Sequence, residues 1–433
     1  MHPGRTSYKS KIILWASVFL LAVSAVLYGA SNSDPSIVDL YGQLRVDGNR
    51  IVNESGESII LRGMSLFWSQ WEPEFYNEDC IEWLKEDWKC TIVRAAMAVE
   101  SGGYLQNPET EKNKIYTVVE ACIDLGLYVI IDWHDHEAEI HQEEAVAFFS
   151  EMAEYYADEP NVIYEIYNEP LQVSWSDVVK PYSEAVIEAI RTYDPDNIII
   201  VGTPSWCQEV TAPVNDPLEY DNIVYALHFY AATHTQWLRN RSATALSNGL
   251  PLFASEFGTC ESTGDGDINY TQSEAWFDFM EDNLISWCNW SIADKTETSA
   301  ALQPGASGTG GWTEEDLKES GAYVRDKIIE GNTPIFTNID DIGYRPSNVA
   351  LHQNYPNPFN AETHIEFDLT DPEHVHLEVY NTLGQKVSTL LNQNMAAGHH
   401  RIPFYAALLP SGIYLVRLQT ESAYRWERMV LLK

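Results

Sequence analysis

From Leu61 to about Ile329 the chain alternates short apolar runs with stretches in which apolar residues recur at helical spacing. The runs read IILRGMSLF, TIVRAAM, LYVIIDWH, NVIYEIYNEP, NIIIVGTP, NIVYALHFY, PLFASEFG and ISWCNWSI. Their apolar and β-branched composition is that of strands buried on both faces. Between them, Ile115, Val118, Val119 and Cys122 share one helical face, and Ala145, Phe148, Phe149 and Met152 share another. Eight such runs with helices between them predict an α/β domain, a (β/α)8 TIM barrel over residues 35–330.

After Gly331 the texture changes. GNTPIFTNIDDIGYRPSNVALHQ lacks helical periodicity and reads as a linker over residues 331–350. From NYPNPFN onward the period is two: Ile365, Phe367, Leu369, then Leu377, Val379, then Tyr414, Val416, Leu418. Turn signals at Leu383-Gly384 and Pro410-Ser411-Gly412 separate these runs, and a small Ig-like β-sandwich is expected over residues 351–433.

At the other end, Arg5, Lys9 and Lys11 precede IILWASVFLLAVSAVLYGAS, and small residues follow near Gly29 to Ser31. That is the layout of a secretory signal peptide, residues 1–31. Export permits disulfides, but six cysteines (Cys80, Cys90, Cys122, Cys207, Cys260 and Cys288) allow fifteen connectivities, and spacing selects none. The 64 acidic residues against 26 basic ones leave a net charge of −38. Such a surface repels phosphate backbones, so no nucleic-acid partner is expected, and it suits saline surroundings.

A barrel places its chemistry at the C-terminal ends of its strands. There the runs carry Arg94, His134, Asn168 and Glu169, His228 and Tyr230, Glu256, and Trp290. Singly, each has a plain structural reading: Glu169 as a helix cap, His134 as a core histidine, Arg94 as the neutraliser of a buried acid. Together they supply two carboxylates, Glu169 and Glu256, as cleavage of a glycosidic bond requires. Arg94 and Tyr230 would hold Glu256 ionised, while burial and the Glu256 charge would keep Glu169 protonated. Two metal readings compete. His134, His136 and His141 in DWHDHEAEIH offer a zinc-like set, and Asp265 and Asp267 in GDGDIN a calcium-like loop that is more simply a solvated turn.

The stretches LRGMS, VRAAM, VIIDWH, IYEIYNEP, YALHFYAATH, FASEFGT, NWSIADKTETSAAL and WTEEDLKESGAYVRDKI resemble glycoside hydrolase family 5, in its cellulase branch, over roughly residues 38–330. The resemblance implies Glu169 as acid/base and Glu256 as nucleophile of a retaining endo-β-1,4-glucanase that uses no cofactor and no metal. It surrounds them with Arg94, His134, Asn168, His228 and Tyr230. Trp290 is implied as the platform under the sugar, Lys295 and Glu297 as holders of the next glucose, and Trp71, Trp206 and Tyr104 as further aromatic subsites. Phe67 stands where this branch commonly carries histidine. Endo-β-1,4-mannanase and mixed-linkage β-glucanase share the scaffold, and a non-catalytic glycan-binding protein is the remaining alternative. YPNPFN, EVYNTLGQKV, LPSGIYLVRL and RMVLLK resemble the sorting domain of type IX secretion. That implies Sec-dependent export, then release or attachment at the outer surface. A β-glucan, the type IX machinery and a monomeric state complete the expectations.

Overall fold

The computed structural model describes residues 36–341 and 349–433, except 353, 370, 371, 383, 396, 397, 407, 408, 421 and 422. The expected signal peptide, and Leu383 of one expected turn, lie outside the described residues. The short helix α1 (Ile37–Tyr41) opens with a capping box between Ser36 and Asp39. A small hairpin, β1 (Arg45–Asp47) with β2 (Arg50–Val52), follows it.

All eight apolar runs become parallel strands. They are β3 (Arg62–Leu66), β4 (Ile92–Ala98), β5 (Tyr128–His134), β6 (Val162–Glu165), β7 (Ile199–Val201), β8 (Ile223–Tyr230), β9 (Leu252–Gly258) and β10 (Trp287–Ile292). They close in sequence order, β10 pairing with β3. Around them run α2 (Glu78–Glu86), α3 (Pro108–Leu125), α4 (Gln142–Tyr156), α5 (Lys180–Arg191), the single turn α6 (Pro204–Cys207), α7 (Gln236–Ser247) and α8 (Tyr270–Asp282). The faces read from spacing are the buried ones: Ile115, Val118, Val119 and Cys122 on α3, and Ala145, Phe148, Phe149 and Met152 on α4. Two-sided burial explains why these strands read as continuous apolar runs rather than alternating ones.

One expectation is corrected. The stretch from Gly331, read as a linker, is helical as far as Asp341, the end of α9 (Glu319–Asp341), despite Pro334 inside it. Tertiary contacts override the weak periodicity. The Asn332 amide is buried and donates to the carbonyls of Arg62 (3.2 Å) and Lys89 (2.8 Å), while its Oδ1 accepts from Arg62 Nη1 at 3.2 Å. Lys89 also caps the Phe336 ring at 5.4 Å.

The C-terminal region is a β-sandwich with its own core, antiparallel apart from one parallel strand pairing. Its strands are β11 (Ala350–Leu351), β12 (Tyr355–Asn360), β13 (Glu362–Leu369), β14 (Glu373–Asn381), β15 (Lys386–Met395), β16 (Gly398–Tyr405), β17 (Gly412–Gln419) and β18 (Tyr424–Leu431). Ile365, Phe367, Leu369, Leu377, Val379, Tyr414, Val416 and Leu418, the positions read from the two-residue period, all lie in that core. Alternation survives here because the outer faces meet solvent.

The six cysteines are buried free thiols, and no disulfide joins any of them.

Candidate active site

The strand ends converge on a cleft whose floor is an ion cluster. Arg94, midway along β4, is fully buried and meets three carboxylates. Its Nε lies 2.7 Å from Glu165, Nη2 2.9 Å from Asp132 and Nη1 3.2 Å from Glu256. Burial alone would lower the arginine, but Asp132, Glu165 and Glu256 raise it well above its ordinary range. A permanent cation held this way makes a fixed anchor, and removing one partner from such a set typically costs about 3–5 kcal/mol.

Glu256, on β9, receives Arg94 at Oε2 and the Tyr230 hydroxyl at Oε1, 3.0 Å away. Tyr230 can occupy that place because Gly258 has no side chain: a Cβ there would sit 2.4 Å from the tyrosine ring. Arg94 Nη2 also donates to Asn168 Oδ1 at 2.7 Å, which leaves the Asn168 Nδ2 protons free for a ligand.

Glu169 follows β6 on a segment whose backbone is pinned by Asn168 N–H to Trp133 O (3.2 Å) and Glu169 N–H to Asp135 O (3.2 Å). Both its oxygens face histidines: Oε1 lies 3.0 Å from His228 Nδ1, and Oε2 3.3 Å from His136 Nε2. One potential ligand atom from each of Glu169, His228 and Glu256 lies within 4.8 Å of the others. Three such atoms are close enough to share a cation. The same spacing puts two carboxylates on one glycosidic bond.

The charge states differ from the sequence expectation. Burial pushes Glu169 up, but hydrogen bonds from His136 and His228 outweigh it and hold the acid at about 2. Burial pushes His228 down, yet Glu165, Glu169 and Glu256 raise it to about 9. Glu256 is raised by burial and by the Glu169 charge, against His228, Arg94 and Tyr230. In the open cleft, therefore, Glu169 is the ionised member of its pair and His228 carries the proton. The sequence could not show this, because neither histidine is near Glu169 along the chain.

The geometry also fixes where that proton can move. Ser255 Oγ donates to Glu165 Oε1 at 2.5 Å, so it can only accept from His228 Nε2, 3.0 Å away. With Nε2–H committed, a single proton remains between His228 Nδ1 and Glu169 Oε1. Glu165 is the third residue of IYEIYNEP and closes β6, and an acid within a run buried on both faces was the signal for it. Asp132 (in VIIDWH) carried the same signal. Ser255 gave none.

Two lobes open from the glutamate pair, and both are lined by Glu169, Tyr230 and Glu256. One, about 350 Å³, continues to Trp206, Gln208 and His234. The other, about 300 Å³, continues past Phe67, Trp68 and His134 to Trp290 and Glu297. Trp290 lies parallel to the His134 ring, 5.1 Å from it, and His134 Nδ1 is anchored on Asp132 at 2.6 Å. Lys295 bridges to Glu297 at 3.3 Å and stands 4.0 Å over the Phe67 ring. Phe67 thus takes part through cation–π contact. Trp71 is 53% exposed beside Trp68, their rings 5.1 Å apart. Tyr104 is not brought to the cleft: its ring packs edge-on to Trp133 and Phe148, at 5.2 and 5.5 Å. The three histidines of DWHDHEAEIH do not converge either. His134 faces Asp132, His136 faces Glu169, and His141 faces Asp135.

Residues 52–296 match the family described as cellulase, glycosyl hydrolase family 5. The chain belongs to glycosyl hydrolase family 5. Residues 353–432 match the secretion system C-terminal sorting domain. The chain is 49% identical over 318 residues to endoglucanase A of Evansella cellulosilytica, covering 72% of this chain and 65% of that protein. It is 48% identical over 325 residues to endoglucanase Z of Dickeya dadantii, covering 74% of this chain and 72% of that one. A solved structure from Cytophaga hutchinsonii is 52% identical, with a TM-score of 0.70, and the match covers 70% of this chain and 99% of that one. The family 5 match lies on the barrel, and the sandwich is a type IX sorting domain, so the protein is exported and either released or held at the cell surface. Among the described residues no helix is long and apolar enough to cross a membrane.

Proposed function

We propose that the protein is a retaining endo-β-1,4-glucanase acting on cellulose and related β-glucans, with Glu256 as nucleophile and Glu169 as acid/base. The observation that carries the reading is the approach of Glu169 and Glu256 within one cluster no wider than 4.8 Å between two open lobes. Retaining enzymes hold their carboxyl groups about 5–5.5 Å apart, inverting ones about 6.5–9.5 Å. Lobes on both sides suit a polymer cut internally. The lobe with Trp290, Lys295 and Glu297 would hold glucose on the non-reducing side, and the lobe with Trp206 the leaving side.

In the first step a Glu256 oxygen attacks the anomeric carbon. The bond to the glycosidic oxygen breaks, and that oxygen takes a proton from Glu169. The Asn168 amide donates to the sugar 2-hydroxyl. Glu169 obtains its proton from His228 across the 3.0 Å contact. Sugar entry expels water, and a drier cleft favours moving that proton, because an ion pair becomes two neutral groups. In the second step Glu169, again ionised and held by His136 and His228, takes a proton from water. The resulting hydroxide attacks the anomeric carbon, and the Glu256 carboxylate leaves.

A pH profile follows from the same arrangement. Glu256 must be ionised, so activity falls as pH drops through its raised pKa. The His228–Glu169 pair must keep one proton, so kcat/KM should fall again near pH 9, where His228 titrates. In His228→Asn the alkaline fall should move to lower pH, because Glu169 alone releases its proton earlier. An alkaline limb unchanged by that substitution would remove His228 from the mechanism.

Substrate is tested with purified cellulose derivatives, lichenan and mannan, with product sizing and NMR of the first-formed anomer. Expected are rapid shortening of β-glucans and β-anomeric products. Cleavage of mannan in preference to all glucans would replace the substrate assignment with a mannanase, and α-anomers would contradict retention. The enzyme is proposed to act as a monomer.

A further inference from the structure

Away from the catalytic pair, the loops following β3 and β10 bring Glu72, Glu74 and Asp294 together, one potential ligand atom from each lying within 4.8 Å of the others. Exposed acids often gather without binding anything, so the deciding residue is Glu72. It is only 8% exposed, and its Oε2 is buried with no hydrogen-bond donor. A carboxylate oxygen in that position is costly unless something positive faces it. The side chains gathered with it are instead two more acids, Glu74 and Asp294. Lys295, which follows Asp294 in the chain, has its ammonium engaged over Phe67 and against Glu297. Asp294 has one oxygen, Oδ2, taken by the Gly305 N–H at 2.7 Å.

We propose that Glu72, Glu74 and Asp294 form a binding site for a calcium-type divalent cation. The donor set is oxygen only, which suits a hard cation and not zinc or copper. Glu74 is exposed and Asp294 partly so, which leaves room for the waters that complete six to eight ligands. The cation would tie the loop carrying Trp68 and Trp71 to the loop carrying Lys295 and Glu297. It would thereby set the spacing of the sugar-binding lobe without touching Glu169 or Glu256. It is a structural site, and hydrolysis itself does not pass through it.

The test uses full-length protein stripped with EDTA and dialysed. Terbium luminescence sensitised by tryptophan reads binding directly, calcium should compete it away, and magnesium should compete far less well. Calcium at about 100 times its Kd should raise the melting temperature by roughly 5 °C. Stripped enzyme assayed well below its melting temperature should keep its kcat, with KM for soluble β-glucan raised about threefold on the scale of a small loop displacement. Glu74→Gln, an exposed change that leaves the fold intact, should abolish both the terbium signal and the calcium-dependent melting shift. Asp294→Asn should do the same. No melting shift at about 10 mM calcium, above the Kd range of extracellular calcium modules, would overturn the proposal. So would an equal shift in wild type and Glu74→Gln.

Discussion

Glu256→Gln should lower kcat on soluble β-glucan by about 10⁴-fold or more, because the amide cannot form the glycosyl ester. The substitution is nearly isosteric, and Arg94 keeps Asp132 and Glu165 as partners. The variant should therefore fold and should still bind cello-oligosaccharides. Calorimetry with cellotetraose separates the two effects: binding retained and turnover lost supports a nucleophile. Turnover within tenfold of wild type would mean that another group attacks the sugar, and the proposed chemistry would fail.

For Glu169→Ala the expected loss on polysaccharide is about 10³-fold, within the 10²–10⁴ range that a positioned acid/base contributes. On aryl cellobiosides with good leaving groups the first step no longer needs an acid, so the glycosyl ester should accumulate as a burst. Azide, which attacks without base assistance, should then restore turnover and yield a β-glycosyl azide. A second readout comes from the pH profile. Glu169 is one of the two causes that raise Glu256, so deleting it should move the acidic limb to lower pH. The alkaline limb should vanish with the pair that produced it. Failure of azide to rescue any substrate, with both limbs in place, would remove Glu169 from the acid/base role. Because His136 and His228 would lose a shared partner, the variant's thermal stability needs to be recorded alongside.

Much of the architecture was legible along the chain, for a definable reason. Burial on both faces writes a barrel strand as an unbroken apolar run, and one solvated face writes a sandwich strand as an alternation. Both periods are local, so they survive in a one-dimensional record. Strand ends were legible too, which is why His134, Asn168, Glu169, His228, Tyr230, Glu256 and Trp290 could be named before any contact was known; Arg94, expected at a strand end, instead stands midway along β4 and meets Glu256 through the length of its side chain. Tyr104 was misplaced because an aromatic after a strand end looks the same whether it turns toward the cleft or, as here, against Trp133 and Phe148.

What the chain order by itself determined was the barrel, the sandwich and the pair of strand-end acids, since each depends on which residues alternate and where a run stops. Which group holds the proton was decided only by the tertiary structure. His228 stands 59 positions from Glu169, and Arg94 stands 162 from Glu256. Ionisation responds to charges and donors a few ångströms away in space, and closure of the barrel alone sets those distances. The continuation of α9 past Gly331 was decided in the same way, by the buried contacts of Asn332 with Arg62 and Lys89, which no local pattern records.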